Sequence, residues 1–168
     1  TLNISHGIYI SNGNLTLAAP YTFPAGNFII LVNGNLTING KIIVPVGSTA
    51  IFSANGNITV SRTIGESSST SCNIATHVGC TIEGLYSADN NFIADGNNSC
   101  PTVDLRLNVA GTVIANAGRT GGTFVNNRTF CAGNSSFPSV SFIERPDFIL
   151  NYPSLAGYIP RAWQDVAP

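Results

Sequence analysis

The sequence has little charge. Only 9% of its 168 residues are charged, against roughly 25% in an ordinary globular protein, and Lys41 is the only lysine. Helical bundles and coiled coils carry Glu, Lys and Arg on their exposed faces, so this composition argues against both. Seven Lys and Arg balance eight Asp and Glu without forming a basic run, which disfavours nucleic-acid binding.

Long hydrophobic runs and metal-binding spacings are also missing. The longest apolar stretch, Phe28 to Val32, is far shorter than the roughly 18 residues of a membrane span, and no signal peptide is visible. The chain opens at Thr1 without Met, so we expect a processed chain or an excised domain. No CxxC spacing occurs and His6 lies far from His77, so we expect no metal site of the zinc type and no cofactor.

The polarity of the chain comes instead from neutral side chains. The sequence contains 20 Asn with many Ser and Thr, while 43% of the residues are hydrophobic. Disordered chains are usually rich in charge and poor in β-branched residues, so disorder is not expected. This composition is typical of an all-β protein whose outer faces are polar and uncharged.

A repeat is the strongest signal in the sequence. The segment Asn12–Leu17 (NGNLTL) returns at Asn33–Ile38 and again at Asn55–Val60, at intervals of 21 and 22 residues. Fainter copies run from 81 to 96 and, aligned with 36–43, from 107 to 114. Hairpins built on Asn-Gly turns need only about 8 to 12 residues between turns. The longer period predicts a single-stranded β-solenoid, that is a parallel β-helix, of about five to six coils.

Each repeat alternates apolar and polar residues with the period of a half-buried strand. We expect the apolar positions to point inward and to stack from coil to coil, with Thr and Asn outside. The predicted core stack is Leu15, Leu36, Ile38, Ile58, Val60, Leu107 and Val109. Seven Asn-x-Ser/Thr triplets occur, three of them at one repeat position, so hydrogen-bonded Asn ladders explain them, although glycosylation of some copies stays open.

The repeat defines two segments. Residues 1–127 are predicted to form the solenoid, with a Ser-rich loop excursion at 65–80, and residues 128–168 an irregular, Pro- and aromatic-rich C-terminal cap or docking segment. The N-terminal end has no comparable cap. Because open strand edges recruit partners, we expect head-to-tail association with other copies of the chain or with neighbouring surface-protein domains. The predicted assembly residues are Phe148, Tyr152, Leu155, Tyr158 and Trp163.

Four widely spaced cysteines in an Asn-rich chain with one lysine favour disulfides and an oxidising compartment. Three pairings are possible. We favour Cys72–Cys80, which closes the Ser-rich excursion, and Cys100–Cys131, which ties a later coil to the tail.

Two parts of the chain resemble known surface proteins. The NGNLTI-type coils of residues 1–60 resemble secreted bacterial β-solenoid proteins of the filamentous-haemagglutinin and adhesin kind. Residues 81–168 resemble the closing domain of large, mostly uncharacterised surface proteins of bacteria with small genomes. That resemblance rests on ordered motifs: EGLY at 83–86, LNVAG at 107–111, GGTF at 121–124, ERPDFILN at 144–151 and WQDVAP at 163–168. It implies an extracellular, cell-surface location, a chain that ends naturally at Pro168 and no assigned catalytic residue. Such proteins tend to be longer, so 168 residues are expected to be a terminal piece.

Catalytic and metal chemistry have weak support in the sequence. Glycoside hydrolysis needs two facing carboxylates, and Asp89, Asp95 and Asp104 are the candidates, although their neighbours suggest turns. A structural calcium ion at 89–91 and 95–98 has oxygen ligands available, and turn chemistry explains the same residues. We expect no enzyme and no catalytic residue.

Three hypotheses for function are therefore ordered. The first is a structural subunit of an extracellular fibre or cell-surface assembly. The second is a surface adhesin module that binds glycans or another cell through exposed tyrosines, and the third is a polysaccharide-active β-helix enzyme. The scarcity of aromatic residues at the repeated outer positions favours the first.

Overall fold

The computed structural model describes residues 5–118 and 121–151. Within this part of the chain there are thirteen β-strands, a 3-10 helix at Cys131–Ser135 and a short helix α1 at Pro146–Leu150. The strands are β1 Gly7–Ser11, β2 Leu15–Leu17, β3 Tyr21–Thr22, β4 Asn27–Val32, β5 Leu36–Ile38, β6 Ile42–Ile43, β7 Thr49–Ala54, β8 Ile58–Val60, β9 Ile82–Ala88, β10 Phe92–Ala94, β11 Leu107–Ile114, β12 Phe124–Asn126 and β13 Val140–Ile143.

The strands form two sheets, and every pairing between them is parallel. The first sheet runs β1-β4-β7-β9-β11-β13, with β3 and β6 joined to it through β9, and the second runs β2-β5-β8-β10-β12. The chain is therefore all-β with parallel sheets, as the composition and repeat predict.

Neighbouring strands in each sheet come from successive repeats. In the second sheet Leu15 pairs with Leu36, Leu36 with Ile58, Ile58 with Phe92, and Phe92 with Phe124. The same residue of the repeat therefore recurs one strand higher, about 4.8 Å away. Counting β9 and β11 twice, because each continues through a bend, the strands fall into five successive sets of three.

Two bends are made by glycines that need a positive φ. Gly84 in β9 has φ +144° and Gly111 in β11 has φ +140°, and the two residues are paired. A Cβ atom at Gly111 would lie 2.0 Å from the carbonyl oxygen of Gly84. Only glycine permits both this backbone conformation and this approach, so one continuous strand can serve two positions of a set.

The core lies between the sheets and follows the alternation. Leu36, Ile38, Ile58 and Val60 are fully buried, whereas Leu15, in the first set, is only partly buried against them. Aromatic rings fill the middle of the stack, where the Phe52 and Tyr86 rings lie parallel with centroids 5.0 Å apart. Burial without a charged neighbour and then the Glu83 carboxylate together raise the pKa of the Tyr86 hydroxyl well above its usual value.

One part of the predicted core stack is wrong. Leu107 and Val109 are fully buried, but they belong to the first sheet, where Val109 pairs with Ile82 and with Phe142. They do not stack on Leu36 and Ile38. Since inward and outward residues alternate in the same way in both sheets, a Leu-x-Val pattern does not say which sheet it joins.

Three long excursions leave the strands at the same corner, between the second sheet and the following strand of the first. They occupy residues 61–81, 95–106 and 127–139, whereas the first two sets have only three residues there. The sequence indicated the first excursion alone. The boundary predicted after residue 127 also does not end the sheets, because β13 pairs with β11 beyond it.

Arg128 holds these excursions together. Its side chain is buried and donates hydrogen bonds to four main-chain oxygens, those of Ser61, Ile64, Asp95 and Leu105, at 2.8–3.1 Å. Burial lowers the pKa of Arg128 to about 10, although Asp104 and Asp95 act in the opposite direction. The guanidinium stays charged at neutral pH and satisfies carbonyls that the loops leave unpaired.

Candidate functional site

The first end of the strand stack is open and apolar. Strands β1, β2 and β3 have a neighbour on one side only within the described residues. The inward side chains of Tyr9, Leu15, Leu17 and Tyr21 line a cavity of about 460 Å³. Its floor includes Phe52, which is 1% exposed, so the opening leads directly onto the core.

The last end of the stack is open in the same way. It consists of the second half of β11 with β12 and β13. Phe124 and Phe142 are 36% and 51% exposed, although both point in the direction of the core, and their ring centroids lie 5.6 Å apart. Val113 and Val140 complete this apolar surface and are partly buried.

The two ends match position by position, because the same columns of side chains reach both. Three columns begin and finish with an apolar residue. They are Tyr9-Ile30-Phe52-Tyr86-Val113, Leu15-Leu36-Ile58-Phe92-Phe124 and Tyr21-Ile42-Ile82-Val109-Phe142. The last end therefore presents the residues that a further set below Tyr9, Leu15 and Tyr21 would contribute.

An asparagine ladder runs beside these columns through the whole stack. The side-chain oxygen of Asn14 accepts from the backbone N–H of Asn35 at 2.8 Å, that of Asn35 from Asn57 at 2.8 Å, and that of Asn57 from Asn91 at 3.0 Å. The oxygen of Asn91 accepts from Thr123 at 2.9 Å. The ladder predicted from the repeated Asn residues is present, and it fixes the register of one set on the next.

Phe148 is not available for assembly, contrary to the sequence prediction. Its side chain is 0% exposed, and the guanidinium of Arg145 lies 4.1 Å from the centre of its ring. A Cβ atom at Gly111 would meet the same ring at 3.2 Å, so Phe148 covers the glycine bend. The exposed apolar residues of α1 are Ile149 and Leu150. The other predicted assembly residues, Tyr152, Leu155, Tyr158 and Trp163, lie outside the described residues.

A buried ionic cluster joins three distant segments of the chain. The Glu83 carboxylate accepts from the Arg145 guanidinium at 3.1 Å, from the backbone N–H of Val44 at 2.8 Å and contacts Nδ1 of His77 at 2.8 Å. Arg145 also donates two hydrogen bonds to Asp147, at 2.8 and 2.7 Å.

The cluster changes the pKa values of two of its members. Burial lowers the pKa of Arg145, but the bonds to Asp147 and the charge of Glu83 outweigh it, so the net shift is upward. The Arg145 hydrogen bonds hold the pKa of Asp147 below its ordinary value. Sequence reasoning missed this cluster, although Glu83 and Arg145 both interrupt otherwise apolar segments, which is the signal that could have found it.

The structure contains two disulfides, Cys72–Cys80 and Cys100–Cys131, which are the pairs favoured from the sequence. Cys72–Cys80 closes a loop within the first excursion and brings His77 against Glu83. Cys100–Cys131 connects the second excursion to the third. Both bonds therefore lie at the corner from which the excursions leave.

The acidic residues considered for catalysis or calcium already serve the backbone. Asp104 accepts from the N–H groups of Asn97 and Thr129, and Asp95 accepts from that of Arg62. Across residues 5–118 and 121–151, the one group of three ligating side chains is Cys72, Cys80 and Glu83, in which the cysteines form a disulfide. The described structure thus brings together neither a calcium site nor a facing pair of carboxylates at the predicted positions.

The tyrosines considered for glycan binding are placed differently from one another. Tyr86 is 1% exposed and belongs to the core, so it is unavailable to a glycan. Tyr9 donates its hydroxyl hydrogen bond to the backbone oxygen of Ser5, and Tyr21 lines the apolar cavity. Tyr152 and Tyr158 lie outside the described residues.

No family model, curated protein or solved structure matches this chain. Among the residues that the structure describes, no helix has the length and apolar character needed to cross a membrane.

Proposed function

We propose that this chain is a structural subunit or domain of an extracellular fibre or cell-surface assembly, in which copies associate head to tail. The observation that carries the proposal is the match between the two ends of the stack. The same three columns finish in exposed or partly buried apolar residues at each end, with Tyr9, Leu15 and Tyr21 at one and Val113, Phe124 and Phe142 at the other.

In this proposal the five strand sets are coils of one β-solenoid. Each coil pairs in parallel with the next, and the Asn ladder links coil to coil. A solenoid has two different end surfaces, so the contact between copies joins unlike surfaces. Such a contact does not close on itself and generates a filament.

The stacking contact would use both hydrogen bonds and apolar burial. The unpaired edges of β1, β2 and β3 would receive the edges of β11, β12 and β13 in the parallel register already used inside the chain. Burial of the exposed parts of Phe124 and Phe142 in the apolar cavity would add about 25 cal/mol for each Å² removed from water.

Two disulfides, the low charge and the resemblance of the repeats to bacterial surface proteins support an extracellular location. The outward positions of the second sheet are mostly Thr, which suits a passive, hydrated lateral surface. A durable and chemically inert rod needs neither a cofactor nor a catalytic residue.

Two substitutions that each block one end test the proposal. Leu15→Lys places a charge at the first end, and Phe142→Lys places one at the last end. Each variant alone should lose filaments in electron micrographs and sediment as a monomer. An equimolar mixture should give dimers and nothing larger, because one intact first end and one intact last end remain to meet.

Val103→Lys is the matched control, since Val103 is 61% exposed and lies in an excursion away from both ends. It should assemble like the unmodified chain. Far-ultraviolet circular dichroism and thermal melting establish that both end variants are folded. Dimers of either end variant alone would show a contact between like surfaces and would overturn head-to-tail stacking. A monomeric unmodified chain at high concentration would favour the adhesin hypothesis.

A further inference from the structure

The outer face of the first sheet carries an apolar stripe on its first three strands. Ile8, Ile29 and Ile51 are aligned across β1, β4 and β7, with Ile10 beside Leu31 in the next outward column. We call these five residues the outer stripe. Ile10 is 68% exposed, Ile8 47% and Leu31 36%. Further along the second column the outward residues become Ser53 and Ser87, so the stripe is confined to one end of the sheet.

The chain after α1 is delivered to the edge of this stripe. Strand β13 belongs to the last set, but the backbone N–H of Gly47 donates to Asp147 and the hydroxyl of Thr49 donates to the backbone oxygen of Asn151, at 3.2 and 3.1 Å. The segment from β13 to Asn151 therefore runs back along the stack to the third set. Thr49 lies two residues before Ile51, so residue 152 starts beside the stripe.

The remaining segment has the length and composition to cover the stripe. Residues 152–168 carry five large apolar or aromatic side chains, Tyr152, Leu155, Tyr158, Ile159 and Trp163. The stripe extends from β7 to β1 across two strand spacings, about 10 Å, whereas 17 residues reach up to about 55 Å when extended. Because the segment is tethered at Asn151, its local concentration at the stripe is in the millimolar range.

We propose that residues 152–168 dock on the outer stripe of their own chain. This position lies on the lateral face of the rod, not on the first coil of a neighbouring chain, and leaves both ends free to stack. The inference does not depend on head-to-tail association, since a monomer would have the same intramolecular contact.

Trp163 provides a direct measurement because it is the only tryptophan in the chain. In the full-length protein its fluorescence should be blue-shifted relative to free tryptophan and protected from acrylamide. The double variant Ile10→Lys/Leu31→Lys should shift the emission to longer wavelength and raise the quenching constant severalfold. Ile114→Lys is the control, because Ile114 belongs to the same outward column but lies on the last strand, 52% exposed.

The outcomes separate this proposal from the alternatives. Emission and quenching that are identical in the double variant and the unmodified chain would overturn docking on the stripe. Protection that increases with protein concentration would assign the stripe to a second copy and overturn the intramolecular contact. Sedimentation of the double variant measures filament formation independently, so failure here is distinguishable from failure of end-to-end stacking.

Discussion

Glu83 and Arg145 are 62 residues apart in sequence and form an ion pair whose two side chains are both 0% exposed. Glu83 comes from strand β9, and Arg145 directly precedes α1. The pair is completed by Val44, His77 and Asp147, so it fastens the C-terminal segment and the first excursion to the strand stack. Buried pairs of this kind are weak evidence for added stability, but the loss of one partner is costly.

Glu83→Gln should therefore destabilise the protein strongly, because it leaves the Arg145 charge buried with Asp147 as its remaining carboxylate. We expect a loss of about 3 kcal/mol in the free energy of unfolding, measured by urea denaturation. Glu66→Gln is the matched control, since Glu66 pairs with Lys41, which is 41% exposed. Its effect should stay below about 1 kcal/mol. Equal losses in the two variants would contradict the role assigned to Glu83.

Arg128→Lys should also be destabilising even though the charge is kept. The guanidinium serves four carbonyls from three nitrogens, and a lysine ammonium has three donors and no planar fork. At least one buried carbonyl then loses its partner, at a cost of about 1–3 kcal/mol. The comparison is Arg62→Lys at an exposed position, which should leave the melting temperature nearly unchanged. An equally stable Arg128→Lys protein would mean that the excursions do not need these bonds.

Leu36→Ala tests the second sheet's central column. Leu36 is fully buried between Leu15 and Ile58, so the variant loses apolar burial and leaves a cavity that costs about 2–5 kcal/mol. Leu105→Ala makes the same chemical change at a residue 39% exposed and should cost less than about 1 kcal/mol. Chemical denaturation of both variants under the same conditions gives the difference, and similar values would contradict the column.

Asp147 should make stability fall in acid. Its pKa lies below the ordinary value of 3.8 in the folded chain, because Arg145 donates to the ionised form. The contribution is therefore fully present above about pH 4 and is lost as the pH falls through the lower, folded-state pKa.

Asp147→Asn should lower the melting temperature at pH 7, and its difference from the unmodified chain should shrink below pH 3.8. Glu144→Gln removes an exposed carboxylate from the same segment and serves as the control. A difference that stays constant from pH 7 to pH 2 would show that Asp147 acts through packing and not through its charge.

Local patterns predicted a large part of this fold. The 21- to 22-residue repeat and the alternation of Leu36, Thr37 and Ile38 identified parallel, all-β stacking of successive units. The Asn-Gly turns identified the ladder, because their spacing is short and constant. Both disulfide pairs join cysteines whose connecting segments are plain loops, so sequence proximity was a useful guide.

Other features depend on contacts that no local pattern encodes. Leu107 and Val109 join the first sheet because the second excursion, of irregular length, has already carried the chain past the corner. The Glu83 cluster forms only because the chain turns back after β13. The exposed ends were not visible as matched surfaces until Phe124 and Phe142 were placed above the columns that start at Leu15 and Tyr21.

The restriction of all long excursions to one corner separates two kinds of change in this protein. Addition or loss of a 21- to 22-residue unit alters the length of the rod, while the Asn ladder at the opposite turn keeps its three-residue geometry. Insertions at the excursion corner alter one lateral edge and leave the register untouched. Gene duplication can thus extend the molecule along its axis, and point insertion can diversify a single side, with neither process disturbing the other.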